Sequence, residues 1–214
     1  MIRELRDYFG ELVTAKEADP GDDVLGRLIV KNRGTKVFDH DALVGIAMLL
    51  QLAGHETTAN VISLGVVGLL QNPDQLAALT ADPGLAPQAV EELLRYFTVL
   101  DTVYRVAVED IEVDGVGISR GDGVILALGS ANRDETVFPG PDRLDIERSH
   151  HGHVTFAYGV HQCLGQNLAR LELEVVLSTL FARLPDLRLA VPVEKLPFKE
   201  HSDAYGIFEV PVTW

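Results

Sequence analysis

Cys163 is the only cysteine of the sequence, and it stands in a stretch that favours an anionic sulfur. It precedes the last predicted helix, where unpaired backbone N–H groups and the positive end of the helix dipole stabilise negative charge. No aspartate or glutamate lies between Arg148 and Arg170, although the whole chain carries a formal charge of −14. Gly159 and Gly165 allow tight turns that point backbone amides at the sulfur. The sequence therefore predicts a thiolate at Cys163.

Cys163 has three other interpretations. A lone cysteine is often a small buried hydrophobe. His161 could serve as the base of a nucleophilic cysteine, although a separation of two residues is a poor predictor of facing side chains. A zinc site could combine the thiol with nearby histidines, but His150, His151 and His153 lack the paired spacing of structural zinc sites and are expected in a solvated loop. Spacing alone does not decide among these interpretations.

A second polar patch interrupts a long apolar segment, residues 43–70. The patch, His55-Glu56-Thr57-Thr58, begins like the zinc-protease helix motif but has Ala59 where that motif requires a second histidine. The segment could form a helix of about 40 Å, enough to cross a bilayer or a large domain. Because Glu56 lies near its middle, and an unpaired carboxylate costs several kcal/mol in lipid, the sequence predicts a helix that crosses a soluble domain beside a cavity.

The remaining pattern predicts further helices around a small antiparallel sheet. Asn72-Pro73 has the cap and first-turn residues that begin a helix. From Arg105 the apolar period changes to two, with Asp114-Gly115 as a hairpin turn. The last helix is expected over 164–184, apolar on two sides and buried. We therefore expect a mainly α fold with a small antiparallel β component, in a single region spanning residues 1–214.

The composition argues against several classes of protein. Lys and Arg total 18 and Asp and Glu total 32, so the chain is not suited to coating phosphate backbones, and we expect no nucleic-acid partner. A single cysteine rules out an internal disulfide. The first residues lack the apolar segment of a secretory signal or an anchor. We expect no membrane attachment and a cytoplasmic location.

A ten-residue run around the cysteine has the sequence Phe156-Ala157-Tyr158-Gly159-Val160-His161-Gln162-Cys163-Leu164-Gly165. It resembles the haem-binding signature of the cytochrome P450 family. Ala53-Gly54-His55-Glu56-Thr57-Thr58 resembles that family's oxygen-activating helix motif, and Glu92-Leu93-Leu94-Arg95 resembles its Glu-x-x-Arg helix. Pro141-Asp142-Arg143-Leu144 resembles the segment whose arginine closes the Glu-x-x-Arg network, with Leu144 where phenylalanine is commoner. The motifs occur in the family's order and cover essentially the whole chain.

The resemblance implies the C-terminal half of the cytochrome P450 fold, of the bacterial soluble type, and a haem b cofactor, iron protoporphyrin IX. Cys163 would be the axial thiolate ligand of the iron, and thiolate ligation favours O–O cleavage. Arg105 and His161 match the family's haem-propionate residues, and the small Ala53 and Gly54 would leave a groove for dioxygen. The implied cofactor-binding residues are Cys163, His161, Phe156, Arg105, Gly165, Ala53 and Gly54.

The resemblance also implies roles away from the iron. Glu56 and Thr57 would be the catalytic pair that relays protons and holds water in an apolar pocket, with Thr57 as the catalytic alcohol. Glu92, Arg95 and Arg143 would form a buried structural network that takes no part in catalysis.

The implied activity is that of a haem-thiolate monooxygenase, which inserts one oxygen atom from O₂ into a small, mostly apolar organic substrate. Electrons would come from a separate carrier, and the acid-free stretch around Cys163 suggests docking of an acidic ferredoxin. Because the family's usual chain is considerably longer, we expect only the C-terminal half of the domain. The alternative is a truncated remnant that binds haem without catalysis, or that keeps the fold without enzyme function.

Overall fold

The computed structural model of the 214-residue chain describes residues 2–149 and 152–214. In this part of the chain the α-helices are α1 (Ile2–Ala18), α2 (Val24–Thr35), α3 (His40–Gln71), α4 (Pro73–Ala81), α5 (Ala86–Tyr96), α6 (Leu128–Ala131) and α7 (Gln166–Arg183). The strands are β1 (Thr102–Val106), β2 (Ile111–Val113), β3 (Val116–Ile118), β4 (Gly123–Ala127), β5 (Arg188–Leu189) and β6 (Val212–Thr213). The pairs β1–β4, β2–β3 and β5–β6 are antiparallel. The predicted fold class, mainly α with a small antiparallel β component, is confirmed.

Local signals in the sequence set the ends of several elements. Asp23 is the N-cap of α2, and its carboxylate accepts the Gly26 N–H at 2.9 Å. Pro73 is the first residue of α4, as predicted, although the Asn72 side chain makes no capping hydrogen bond there. The Asp114-Gly115 turn between β2 and β3 has φ of 50° and 79°, the positive values that a two-residue hairpin favours. The predicted hairpin is confirmed.

Packing divides the chain into two compact units, Met1–Glu56 and Thr57–Trp214. The predicted single region, residues 1–214, stays a prediction. The first unit buries apolar side chains of α1, α2 and α3 in one core: Phe9, Val13, Ile29, Leu43, Val44 and Ala47. α3 carries the polar patch within its 32 residues. Of the helices in 2–149 and 152–214, none is both long enough and apolar enough to span a membrane.

The second unit is built around α5, whose apolar side faces the core. Val90, Leu93 and Leu94 of this helix are buried and belong to the same cluster as side chains of α3, α4 and α7. The spacing of these residues along α5 places them on one face of a helix. The charged residues Glu91, Glu92 and Arg95 lie on the other side of α5. The packing of this helix in the core therefore fixes their positions.

α7 differs from its predicted environment. One of its apolar stripes packs in the core through Leu173, Leu177 and Phe181. The other predicted stripe is 53–89% exposed and consists of Leu168, Leu171 and Val175 on the helix and Leu164 just before it. The prediction that the helix is buried on both sides is wrong, because only the first of these two stripes belongs to the core cluster.

The first turn of α2 leaves no space for a side chain at Gly26. A Cβ there would lie 1.9 Å from the Pro20 carbonyl oxygen and 2.7 Å from that of Gly21. We expect Gly26→Ala to lower the free energy of unfolding by about 2 kcal/mol, because backbone atoms cannot move aside as a flexible side chain can. Urea unfolding followed by far-ultraviolet circular dichroism measures this change.

Gly34, on the same helix, provides the matched control. A Cβ at Gly34 meets nothing within 4 Å, so Gly34→Ala should raise the free energy of unfolding by about 0.5–1 kcal/mol through helix propensity. Equal effects of the two substitutions would contradict the steric account of Gly26.

Candidate functional site

A cavity of about 360 Å³ lies in the second unit and is lined mainly by apolar side chains. Small-molecule sites commonly have about 300–1,000 Å³ and a few convergent polar groups. The lining includes Arg105, Phe156, His161 and Cys163, all predicted to bind a cofactor, and Thr57, the predicted catalytic alcohol. The fold thus gathers around one cavity residues that are far apart in the sequence.

The loop before α7 presents Cys163 at this cavity. The Cys163 N–H donates to the Phe156 carbonyl at 2.9 Å, which closes the loop on itself. α7 begins at Gln166, so the predicted position of the cysteine just before a helix N-terminus is confirmed. Gly165 is the N-cap residue of α7 and does not line the cavity. Cys163 is exposed, and its interpretation as a buried core cysteine is therefore wrong.

His153 does not lie in a solvated loop, contrary to the prediction. Its side chain is 2% exposed, and its Nε2 lies 3.1 Å from Glu91 Oε2. His150 and His151 lie outside the described residues. Across 2–149 and 152–214, no three His, Cys, Asp or Glu side chains gather as a metal site would require.

The period of two along β1 explains how Arg105 reaches the cavity. Successive side chains of a strand point to opposite faces. Val103 and Arg105 line the cavity, whereas Tyr104 and Val106 are exposed. β1 pairs with β4 in a register that sets Arg105 opposite Val124, and the Arg105 guanidinium donates to the Tyr104 carbonyl at 2.8 Å.

The polar patch of α3 falls at the boundary of the two compact units. Thr57 and Thr58 belong to the second unit and line the cavity. Ala53, Gly54 and Glu56 are exposed residues of the first unit. Their predicted roles toward dioxygen and protons stay predictions.

A buried ion-pair network ties α5 to the segment that follows α6. Arg95 donates to both carboxylate oxygens of Glu92, at 2.7 and 2.8 Å, and the two side chains are 1% and 2% exposed. Arg148 adds a second cation to the same carboxylate at 3.1 Å. Such bidentate, charge-assisted hydrogen bonds are the strong ones in proteins. The predicted burial of Glu92 with Arg95 is present in the structure.

The third member of this network is Arg148 rather than the predicted Arg143. The Arg143 side chain is 77% exposed and pairs with Asp145 at the surface. Only the Arg143 backbone carbonyl enters the network, where it accepts from Arg148 at 3.1 Å and from Arg95 at 3.4 Å. The motif led to the wrong arginine because this segment contributes backbone carbonyl oxygens, and not the Arg143 side chain, to the buried guanidinium groups. The carbonyls are those of Pro139, Gly140, Pro141 and Arg143.

A second ion-pair cluster lies next to the first, and the sequence reasoning did not find it. Arg170 donates to Glu91 through Nε at 2.6 Å and Nη2 at 3.1 Å. The Thr155 N–H donates to His153 Nδ1 at 3.3 Å, which leaves His153 Nε2 to donate to Glu91. One feature of the sequence does indicate this second cluster, namely the adjacent glutamates Glu91 and Glu92 on α5. Because adjacent residues of a helix point in different directions, the two carboxylates must have different partners.

The pKa of Glu91 reflects these contacts. Burial acts to raise it, but the hydrogen bonds from His153 and Arg170, with the Arg170 charge, outweigh burial and lower the pKa from 4.5 to about 2. Glu91 is therefore a carboxylate throughout the physiological pH range.

Comparison with known proteins assigns the family. Residues 84–201 match the family model described as Cytochrome P450. The chain belongs to the cytochrome P450 family. The resemblance of the chain to that family is thereby confirmed.

The relatives include proteins and solved structures of high identity. Pentalenic acid synthase of Streptomyces avermitilis is 53% identical over 213 residues, which cover 99% of this chain and 52% of the relative. Vitamin D3 dihydroxylase of Streptomyces griseolus is 51% identical over 212 residues, which cover 99% and 52%. The crystal structure of cytochrome P450 MoxA from Nonomuraea recticatena has a TM-score of 0.94 and 56% identity, and the match covers 100% of this chain and 53% of that one. The chain spans about half the length of the curated relatives it matches.

The chemistry of the cavity residues fits the haem of a cytochrome P450. The exposed thiol of Cys163 is a soft donor suited to iron. Arg105 and His161 line the same cavity and provide basic groups for carboxylates. The remaining lining is mostly apolar, as the face of a porphyrin requires. A soft ligand, basic groups and an apolar wall thus lie on one surface.

The corrected network makes a direct prediction about the two arginines. Arg148→Gln should lower the free energy of unfolding by about 3 kcal/mol, because it removes one partner of a buried carboxylate and the donors to three carbonyl groups. Arg143→Gln, the matched control with the same loss of charge, should change it by less than about 1 kcal/mol. Urea denaturation compares the two, and a larger effect at Arg143 would contradict the correction.

The lowered pKa of Glu91 predicts how stability depends on pH. A carboxyl group with a folded-state pKa below its unfolded value stabilises the protein above the unfolded value, and this contribution is lost as pH falls through the folded value. The loss should reach about 3 kcal/mol between pH 4.5 and about 2. In Glu91→Gln the free energy of unfolding should be lower at pH 7 and should fall less over this range.

Glu172→Gln, an exposed glutamate of α7, serves as the control for Glu91→Gln. It should keep the wild-type slope of stability against pH. If the Glu91 variant also kept that slope, its carboxylate would not be the group that titrates.

Proposed function

We propose that this chain is the cofactor-binding part of a haem-thiolate monooxygenase. The complete enzyme inserts one oxygen atom from O₂ into a small, mostly apolar organic substrate. The observation that carries the proposal is the exposed Cys163 on one apolar cavity together with Arg105, His161 and Thr57. A relative named as a vitamin D3 dihydroxylase supports oxygen insertion into an apolar molecule.

The proposed cofactor is haem b. Cys163 would ligate the haem iron through its thiolate, Arg105 and His161 would bind the haem propionates, and Phe156 would pack against the haem. When bound, the haem supplies iron-centred oxygen activation, for which thiolate ligation favours O–O cleavage. Gly165, as the N-cap residue of α7, keeps the backbone near the sulfur without a side chain.

The proposed catalytic residues lie on α3. The Thr57 hydroxyl can donate and accept hydrogen bonds, so it holds water or a proton at the wall of the cavity. Glu56 is the carboxylate that passes protons inward from solvent, in keeping with its exposure. Ala53 and Gly54 have small side chains that leave room for dioxygen along the helix.

The proposed electron donor is an acidic ferredoxin. It binds near Cys163, where the sequence from 149 to 169 contains no acidic residue. We also propose a bacterial cytoplasmic enzyme, since the relatives compared above come from bacteria.

The reduced, CO-bound absorption spectrum tests the proposal. The 214-residue chain expressed with haem should give the Soret shift of a thiolate-ligated iron, because Cys163 provides the sulfur. Cys163→Ser should abolish this band, whereas Thr179→Ala, on an exposed part of α7, should leave it unchanged.

Two outcomes would contradict the proposal. A thiolate-type band that survives in Cys163→Ser would remove Cys163 as the ligand. Failure of the wild-type chain to take up haem would favour the alternative, a remnant of the fold without activity of its own.

A further inference from the structure

Glu91, His153 and Arg170 form a cluster outside the cavity, which we call the Glu91 clamp. Glu91 lies on α5, Arg170 on α7, and His153 in the segment between α6 and α7. Arg170 binds both carboxylate oxygens of Glu91 and His153 binds one of them. The cluster therefore joins three separate parts of the second unit through one ionised carboxylate.

The clamp reaches the cysteine loop through Phe156. The Arg170 guanidinium carbon lies 4.6 Å from the centre of the Phe156 ring, a cation–π contact. The His153 ring centre lies 6.0 Å from the same ring. The Phe156 carbonyl in turn accepts the Cys163 N–H at 2.9 Å. The side chain of Phe156 is thus held by the clamp, and its backbone holds Cys163.

The residue after Phe156 has an unfavourable backbone conformation. Ala157 has φ of 54°, in the left-handed region that residues with a Cβ rarely adopt. Such a conformation persists only where its surroundings enforce it. Phe156 directly precedes Ala157, and the Ala157 N–H donates to the Val154 carbonyl at 2.8 Å.

We propose that Glu91, His153 and Arg170 are positioning residues that hold Phe156 and the left-handed turn at Ala157, and thereby keep Cys163 at the cavity. This inference rests on the proposed function only in giving Cys163 the role of haem ligand. Glu91, His153 and Arg170 do not line the cavity, so they act on Cys163 through Phe156.

Amide hydrogen exchange of the 214-residue chain without haem tests the positioning directly. In Arg170→Gln the Cys163 amide should exchange about tenfold faster, the factor that corresponds to the left-handed penalty of one alanine. Amides of the buried parts of α5 and α7 exchange through global unfolding, so their rates should rise only by the factor that corresponds to the loss of global stability measured for the same variant by urea unfolding. Glu91→Gln, which has nearly the same shape as the wild type, should give the same local effect.

Arg183→Gln is the matched control, with the same change of charge at an exposed position of α7. It should leave the Cys163 amide unchanged. An unchanged Cys163 rate in both clamp variants would overturn the proposal. So would a Cys163 rate that rises only by the same factor as the amides of α5 and α7, since that result would mean a general loss of stability without a local effect.

A rescue experiment separates positioning from simple packing. Ala157→Gly removes the penalty of the positive φ, so the double variant Ala157→Gly, Arg170→Gln should exchange at Cys163 at nearly the wild-type rate. If the Cys163 amide exchanged as fast in the double variant as in Arg170→Gln alone, the clamp would not act through the turn at Ala157, and this part of the proposal would be wrong.

The spectrum of the haem-loaded chain gives a second readout. Arg170→Gln should lower the fraction of the thiolate-type CO band, and Ala157→Gly should restore it. Absence of that band in the wild-type chain would refute the proposed function. The exchange rate of the Cys163 amide would still test the positioning role of the Glu91 clamp. Exchange rates equal to wild type would refute the clamp and leave the proposed function standing.

Discussion

The buried carboxylate of Glu92 is the contact on which the second unit depends. It binds two guanidinium groups, so the pair of arginines brings one more positive charge into the core than the carboxylate can neutralise. Backbone carbonyl oxygens offset this excess, and they belong to Asn132, Pro139, Gly140, Pro141 and Arg143. These residues have little regular secondary structure. The hydrogen bonds from Arg95 and Arg148 therefore fix the backbone conformation of this segment.

Asn132 links the Glu92 network to the loop that contains Cys163 through hydrogen bonds. Its carbonyl accepts from Arg95, and its side-chain oxygen accepts the Val154 N–H at 2.8 Å. Its amide nitrogen donates to the hydroxyls of Thr98 and Thr155 at 2.7 and 2.9 Å. One fully buried side-chain amide thus uses both its oxygen and its nitrogen to join Thr98, which follows α5, to the loop on which Cys163 depends. α5 consequently orients the cavity from two directions, through Glu92 and through its neighbour Glu91.

The sequence correctly predicts the features that depend on residues close together in the chain. The start of α4 at Pro73 and the hairpin at Asp114-Gly115 follow from the conformations of a few adjacent residues, and the cysteine before α7 follows from the signature around it. It failed where partners distant in the chain decide the outcome. Arg148 and Arg143 are both arginines near a matching motif, and only the three-dimensional course of 139–148 selects one of them. The sequence predicts a solvated position for His153 because its partner, Glu91, lies 62 residues away.

The exposed stripe of α7 has a consequence for how this chain behaves in solution. Leucines at Leu164, Leu168 and Leu171 form an apolar surface that attracts the same surface on other molecules. The formal charge of −14 opposes that attraction, since like-charged molecules repel at long range. Salt shortens the range of this repulsion to about 10 Å at 0.1 M and leaves the apolar attraction in place. The net charge of this chain therefore opposes self-association through the exposed stripe, and added salt weakens that opposition.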